Sequence, residues 1–432
     1  VWVVQRIGAG EKIIVLSSTR RVIAAGAVGN ILEWYDFAIY GYFAAAIGRA
    51  FFPHEDKVAQ VLAAFGIFAV GFLMRPVGGA VIGYIGDRFG RCAALTFSVI
   101  AMSVPTFLVG ALPGYQTLGV MAPVLLTVLR MIQGLSVGGE YTTSIVFMVE
   151  RAPPGRRGLL GAVACCGATI GILLGSGTGA VLAAIMSPEA LESWGWRMPF
   201  LVGLLVGLAG FVLRRGLPDT PEKTAARRLP LRDMLRAHAP LVARLAGLSV
   251  FNAVGFYLLF VFVVSWLQFA DGVAPDHALG INTTSLFVLV LITPAMGWLS
   301  DRIGRKRLIL VAMALGFAAA VPLFWLMLHD NVVFILAGQL GFVLVIAATL
   351  GVLPAFMVEA TPHAVRCTAV ALGYNVVFGV IGGLTPLVAA WLVHRTHDDL
   401  SPAFMIMAAA AVSFLTALLF FKETYRDEIE VG

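Results

Sequence analysis

Twelve runs of apolar residues, each bounded by charge or by a cluster of Pro, Gly and Asp, fill most of this 432-residue chain. A helix needs about 20 apolar residues to cross the hydrocarbon core of a bilayer, where only a helix or a closed barrel satisfies its own backbone. Runs of that length, repeated from end to end, leave few folds open. The first six lie near 22–48, 59–85, 92–112, 118–149, 158–186 and 197–213. The second six lie near 244–270, 283–300, 308–328, 332–358, 366–393 and 402–421. Composition agrees: 59% of residues are hydrophobic and 12% charged, with a mean hydropathy of +0.92, against about 25% charged in a soluble domain. A soluble enzyme, a nucleic-acid binder and a secreted disulfide scaffold are excluded as first readings. The chain reads as an all-α membrane protein whose main partner is the lipid bilayer.

Charge then orients the spans. With both termini inside, the inner segments hold 24 of the 30 Lys and Arg residues and the outer loops hold four: Arg49, Lys57, Arg197 and Arg395. Basic residues stay on the cytoplasmic side, so both termini are expected there. The net charge of +6 is this bias and needs no nucleic acid. No signal peptide is expected, because Arg6, Glu11 and Lys12 interrupt the apolar patches of the first 20 residues. The expected organisation is a cytoplasmic tail over 1–20, a six-helix bundle over 21–213, a linker over 214–243, a second bundle over 244–421 and a tail over 422–432. A short amphipathic helix is expected around Leu231–His238 in the linker. The four cysteines have no metal-ligand spacing, so free thiols, no metal and no cofactor are expected.

The chain also repeats itself. GYIGDRFGRC (Gly83–Cys92) after the second run returns as GWLSDRIGRK (Gly297–Lys306) after the eighth, 214 residues on. MVERAPPGRRG (Met148–Gly158) after the fourth returns as MVEATPHAVRC (Met357–Cys367) after the tenth, aligning Glu150 with Glu359 and Arg157 with Arg366 at an offset of 209. Two repeats at nearly one offset and at equivalent places mean that a six-helix unit was duplicated.

The G-x3-D-R-x-G-R pattern, present in both halves, resembles that of the major facilitator superfamily. GNILEWYDF (Gly29–Phe37), GFLMRPVGG (Gly71–Gly79), RMIQGLSVGGEY (Arg130–Tyr141) and SWGWRMPF (Ser193–Phe200) resemble its metabolite–proton symporters, which carry proline and betaine, α-ketoglutarate, citrate or shikimate. The resemblance implies two six-helix bundles around a midplane cavity. It also implies that the loop motif latches the bundles: Gly83, Asp87, Arg88 and Arg91 in the first half, Asp301, Arg302 and Arg305 in the second. An Asp there can meet the positive N-terminus of a neighbouring helix. The plainer reading is that the arginines only set topology.

Five acidic or basic side chains fall within spans, all in the first half: Glu33, Asp36, Arg75, Arg130 and Glu140. Each costs about 2.5–3.5 kcal/mol to insert, so their retention implies pairing, water or function. All seven histidines lie in loops or at span ends, which leaves no buried histidine for a proton relay. Asn30, Glu33, Phe37 and Tyr40 form one stripe of the first helix, flanked by Tyr35 and Asp36; Arg130, Gln133, Glu140, Tyr141 and Ser144 form one on the fourth. Arg130-x2-Gln133-Gly134-x3-Gly138 resembles a superfamily motif associated with proton coupling, which assigns the exchangeable pair to Asp36 and Arg130. A static ion pair between two helices is the alternative for them, and equally for Glu33 and Glu140. Arg75 either binds a substrate carboxylate or partners Glu33.

Asn30, Tyr40, Arg75, Gln133 and Tyr141, with Asn252, Tyr257, Tyr374 and Asn375 from the second half, are the candidate substrate contacts. Structural hydrogen bonding between helices is the alternative for the second-half residues, and for Phe256, Ser265, Gln339 and Thr349 beside them. Gly167, Gly171, Gly175 and Gly179 form a packing face on the fifth helix. Trp266, Trp298 and Trp391 read as interfacial anchors. The fifth helix lacks the Gly-Pro element of drug–proton antiporters, which favours import.

The expected function is uptake of a small carboxylate-bearing metabolite with protons, by a protein acting as a monomer. The substrate is of the proline/betaine or the organic-acid type. A proton-driven exporter is the nearest alternative, and a channel or receptor a further one. An enzyme is not expected, since no Ser/His/Asp set, metal cluster or nucleotide loop occurs. An osmolyte fits as substrate, whereas the long C-terminal coiled coil of osmosensing relatives is not present in the sequence.

Overall fold

The computed structural model describes residues 31, 33–53, 57–78, 91–136, 140–150, 152–214, 231–269, 273–329 and 331–426. Asn30, Gly83, Asp87 and Arg88 lie outside these residues, as do the side chains of Arg91 and Glu140. Among the described residues every regular element is helical. The first half comprises α1 (33–42, continued past a turn as Ala44–Phe51), α2 (Lys57–Gly78), α3 (Arg91–Ala111), α4 (Met121–Ser136, then Glu140–Glu150), α5 (Arg157–Ile185) and α6 (Met198–Arg214). The second comprises α7 (Leu231–Tyr257, running on to Phe269), α8 (Pro275–Ile303), α9 (Arg305–Met327), α10 (Val332–Glu359), α11 (Arg366–Val376, running on to Thr396) and α12 (Ser401–Phe420). Among the described residues, eight helices are long and apolar enough to cross a membrane.

Two helices start earlier than apolarity alone suggests. α8 begins at Pro275 rather than near 283, with proline in its first turn and Asp276 beside it, both favourable at a helix N-terminus. The helix therefore projects beyond the apolar run, which marks only the part in hydrocarbon. α7 consists of two helical stretches that meet at a kink: the segment expected in the linker, from Leu231, and the span that starts at His238. His238 leaves helical geometry at φ −123°, two residues ahead of Pro240, which has no N–H to donate.

Glycine decides which helices touch. A Cβ on Gly134 of α4 would collide with the carbonyl of Gly71 on α2, and one on Gly78 would collide with that of Leu135. The face Gly171, Gly175 and Gly179 of α5 receives Ile31, Trp34, Tyr35 and Ala38 of α1, with Leu279 of α8 at its end. Gly158 of α5 and Gly297 of α8 each lie against the other's carbonyl, which brings the two halves into backbone contact. Since hydrocarbon is as apolar as leucine, close packing rather than water exclusion holds such helices together. Gly134→Ala is expected to cost about 1–3 kcal/mol by overpacking, whereas at Gly66 an added methyl meets nothing. Thermal denaturation of the detergent-solubilised protein checks this: Gly134→Ala should melt clearly lower, and Gly66→Ala should match the parent.

The outward surface is apolar where water would not tolerate it; Leu205, Val333 and Leu419 are each more than 60% exposed. Trp298 and Trp391 sit on that surface, but Trp266 does not: it is buried and packs edge-on to Phe324. The expectation of an interfacial anchor at Trp266 is corrected, because the helix turns this ring inward.

The halves meet along α5/α8, α2/α11 and α1/α7. At the α1/α7 seam Gly41 abuts Val261, and Ser265 Oγ donates to the Gly41 carbonyl at 3.2 Å. Both α7 (Leu258–Phe262) and α11 (Val377–Gly382) widen into one π-helical segment, a feature frequent at functional positions. Both segments face the first half, Val261 against Gly41 and Gly379 against the Phe72 carbonyl.

Candidate functional site

Asp36 and Arg130 are completely buried within the first half. Arg130 Nη1 donates to Asp36 Oδ2 at 2.7 Å and to Gln133 Oε1 at 2.8 Å. Gln133 Nε2 donates to Asp36 Oδ1 at 2.9 Å. Thr106 of α3 completes the box, its hydroxyl 2.7 Å from Asp36 Oδ1 and 2.7 Å from the Met102 carbonyl. One hydroxyl proton cannot serve both acceptors, so Thr106 keeps a partner whether or not Asp36 is charged. Beneath the guanidinium lie the rings of Tyr40 at 4.2 Å and Phe37 at 5.0 Å. Arg130 Nε and Nη2 have no hydrogen-bond partner among the described residues, so these π-faces are their compensation. Removing one member of a buried ion pair costs about 3–5 kcal/mol, because the other is left charged and alone.

Tyr40 and Gln133 were expected among the substrate contacts. Both are fully buried and engaged elsewhere: Gln133 in the Asp36 box, Tyr40 under Arg130 with its hydroxyl on the Ala64 carbonyl at 3.1 Å. The side chains fall here because Gly71 and Gly134 let α2 and α4 cross at backbone distance.

A second acid–base pair lies between the halves. Arg75 Nη2 is 3.6 Å from Glu33 Oε1 and 3.5 Å from Asn375 Oδ1 of α11. Arg75 is 2% exposed, and its Nε and Nη1 have no hydrogen-bond partner among the described residues. Aromatic rings surround it. Trp34 and Phe72 face the guanidinium at 5.7 and 5.3 Å. Tyr257 lies 6.3 Å from Trp34 and 5.1 Å from Phe72, and the sequence continues through Phe378, Tyr374 and Tyr141. Glu33, Arg75, Tyr141, Tyr257, Tyr374 and Asn375 thus come together in one compartment. Asn252 does not join them. Its side chain accepts from Thr349 inside the second half, a bond between α7 and α10.

Thr106 and Phe378 carry no signal in the sequence, and Trp34 and Phe72 lie within the blocks Gly29–Phe37 and Gly71–Gly79 without being singled out there. A threonine beside Pro105 and aromatics in apolar runs look like any others until the helices are assembled.

The loop motif of the second half joins the two halves at one end of the molecule. Asp301 accepts from the backbone N–H of Gly158 at 2.8 Å and of Leu159 at 2.9 Å, in the first turn of α5. Arg305 lies beneath it, 2.7 Å from Asp301 and 3.1 Å from Glu359. Among the described residues Arg302 makes no bond to this cluster, and it stacks on Trp298 at 3.8 Å. The repeated Glu and Arg pair across the duplication: Glu150 with Arg366 at 2.5 Å, and Glu359 with Arg157 at 3.9 Å. Each half supplies the acid for the other's base. Gly304, at φ +109°, turns the chain between α8 and α9, and the Glu423 carboxylate caps α9 through Arg305 N at 2.6 Å. Asp301→Asn gives up a carboxylate that holds two backbone donors. A charge-assisted hydrogen bond is worth about 1.5–3 kcal/mol, so the closed population should fall by about tenfold or more. Initial uptake rate, normalised to protein in the membrane, should drop several-fold; an unchanged rate would show that the contact holds nothing during turnover.

Comparison with known proteins bears on this architecture. Residues 22–227 match the sugar (and other) transporter family, and residues 245–431 match the major facilitator superfamily. The chain is 36% identical over 420 residues to the glycine betaine/proline/ectoine/pipecolic acid transporter of Dickeya dadantii, covering 94% of this chain and 83% of that one. It is 34% identical over 421 residues to the proline/betaine transporter of Escherichia coli K12, covering 94% and 84%. Among solved structures, a D-xylose–proton symporter superposes with a TM-score of 0.77 at 19% identity, covering 94% of this chain and 99% of that one. A bacterial homologue of the human lysosomal transporter Spinster, in an inward-facing conformation, gives 0.68 at 18%, covering 95% and 98%. The fold is therefore the twelve-helix fold of two six-helix bundles, and the relatives are transporters rather than enzymes. The chain belongs to the major facilitator superfamily.

Proposed function

We propose that this protein imports a compact zwitterion, of the proline or betaine kind, together with protons. One observation carries the reading: the two buried acid–base pairs occupy different places. Asp36–Arg130 is sealed inside the first half, where a solute has no access. Arg75 lies between the halves, with two guanidinium nitrogens that have no hydrogen-bond partner among the described residues and with aromatic rings around it. A guanidinium fork suits a carboxylate, and electron-rich ring faces suit an ammonium or quaternary ammonium group. The solutes named for the curated relatives combine these two groups in a small molecule. An organic acid with two or three carboxylates would satisfy Arg75 but would place a second anion against the rings.

In this reading Asp36 is the proton carrier. Charged, it holds Arg130 and Gln133; neutral, it releases the guanidinium, and the α1–α4 contact changes with it. Glu33 is the counter-ion that a substrate carboxylate replaces at Arg75. The two ends open alternately, the Asp301 latch closing the cytoplasmic one. The protein acts as a monomer in a bacterial-type inner membrane with both termini cytoplasmic, an orientation supported by the Lys and Arg distribution.

Uptake into proteoliposomes under an imposed proton gradient tests this, with labelled betaine or proline and competition by a panel of organic acids. Betaine and proline should accumulate and compete with each other, and collapsing the gradient should stop accumulation. Competition by citrate or α-ketoglutarate alone would move the substrate to the organic acids, and accumulation only in inverted vesicles would make the protein an exporter.

A further inference from the structure

Tyr141 of α4 and Tyr374 of α11 meet across the halves, with ring centroids 5.0 Å apart. On one side of this pair lies the Arg75 compartment: Trp34 is 6.1 Å from Tyr141, and Phe378 stacks on Tyr374 at 4.0 Å. On the other side lies a small cavity. Tyr141, Thr142 and Cys165 line it from the first half, and Pro354, Met357 and Tyr374 from the second. It sits at the latch end, since Met357 is two residues from Glu359 of the latch and Cys165 is about 12 Å along α5 from Arg157.

Two features of the cavity go unused by the reading above. Thr142 is 1% exposed, and its hydroxyl has no hydrogen-bond partner among the described residues. A buried hydroxyl left in this state is costly unless something fills the space beside it. The Cys165 sulfur lies 2.9 Å from the Tyr141 hydroxyl and ties that ring to α5.

We propose that Tyr141 and Tyr374 form a gate between the Arg75 compartment and a vestibule behind it. Cys165 is the positioning residue that holds the gate closed through Tyr141. The vestibule is collapsed in this structure and enlarges when the latch releases. The Thr142 hydroxyl then meets the departing solute or the water that replaces it, and the Cys165 thiol becomes reachable from the latch side. The inference rests on transport by alternating opening, and not on which solute is carried.

A membrane-impermeant sulfonated maleimide tests it without any solute. The Cys165 sulfur adds to one carbon of the maleimide double bond, the thiol proton ends on the other carbon, and nothing leaves. The full-length protein carrying Cys92→Ser, Cys166→Ala and Cys367→Ser keeps Cys165 as its sole thiol. If that variant does not fold, peptide mass spectrometry of the labelled parent assigns the site. Labelling from the latch side should be slow in the parent and at least about tenfold faster in Asp301→Asn, and slow from the opposite side in both. Cys165→Ala should lower steady-state accumulation about two- to tenfold, the range of one net hydrogen bond, with KM unchanged. Cys165→Ser, which keeps a hydrogen-bonding group, should restore it. Labelling indifferent to Asp301→Asn, labelling equal from both sides, or wild-type accumulation in Cys165→Ala would each overturn the gate. A working gate in a protein that carries no zwitterion would leave this inference standing and remove the substrate reading instead.

Discussion

Asp36→Asn should abolish accumulation of solute against its gradient while leaving exchange across the membrane measurable. Asparagine has nearly the shape of aspartate and can still accept from Thr106 and Gln133, but it cannot gain or lose a proton. Coupling is therefore lost while the path persists. The cost is the stranded Arg130, which loses its counter-ion in a fully buried site; about 3–5 kcal/mol is the usual penalty, so the amount of folded protein must be measured alongside. Arg130→Lys is the milder lesion. Lysine keeps the charge but loses the planar fork, here engaged with Asp36 and Gln133 through one nitrogen, and transport should fall without vanishing. Counterflow of labelled solute, with and without protonophore, separates the cases. An Asp36→Asn protein that still concentrates solute and still responds to protonophore would place the proton elsewhere, with Glu33 next in line.

Arg75→Ala should weaken binding of the solute strongly. If the guanidinium donates one or two charge-assisted hydrogen bonds to a carboxylate, their loss at about 1.5–3 kcal/mol each corresponds to at least about tenfold in Kd. Trp34 lies 5.7 Å from the guanidinium, so titration of intrinsic fluorescence is a suitable readout. Arg75→Lys should recover part of the affinity, since an ammonium supplies charge without the fork. The aromatic side is tested in the same titration. Tyr257→Ala should reduce affinity for a quaternary ammonium more than for a simple carboxylate, by about 0.5–2 kcal/mol. Unchanged affinity in Arg75→Ala would leave that residue as a structural partner of Glu33 and Asn375 alone.

Much of this protein was legible before any helix was placed. Apolar runs of spanning length follow from the bilayer, because hydrocarbon forbids unsatisfied backbone, and each run can be read locally. The duplication is equally local, since Glu150 and Glu359 stand in matching words of sequence. The ionisable residues within spans identify themselves by their cost, which is why Glu33, Asp36, Arg75 and Arg130 were recognisable as candidates from residue type and position.

What the sequence left open is which helix faces which. A span shows its length and its polar stripe, but the partner of that stripe depends on where two backbones can approach. That is decided by pairs of glycines far apart in the chain, Gly71 with Gly134 and Gly158 with Gly297. Only their contact separates the two acid–base pairs, burying Asp36–Arg130 in one half and setting Arg75 between halves. It also places Gln133 and Tyr40 in the ion-pair box rather than beside Arg75, brings Thr106 to Asp36 and crosses Glu150 to Arg366. Hydrophobicity along a chain is a property of each residue in its solvent; pairing across a chain is a property of two surfaces, and it exists only once both are folded.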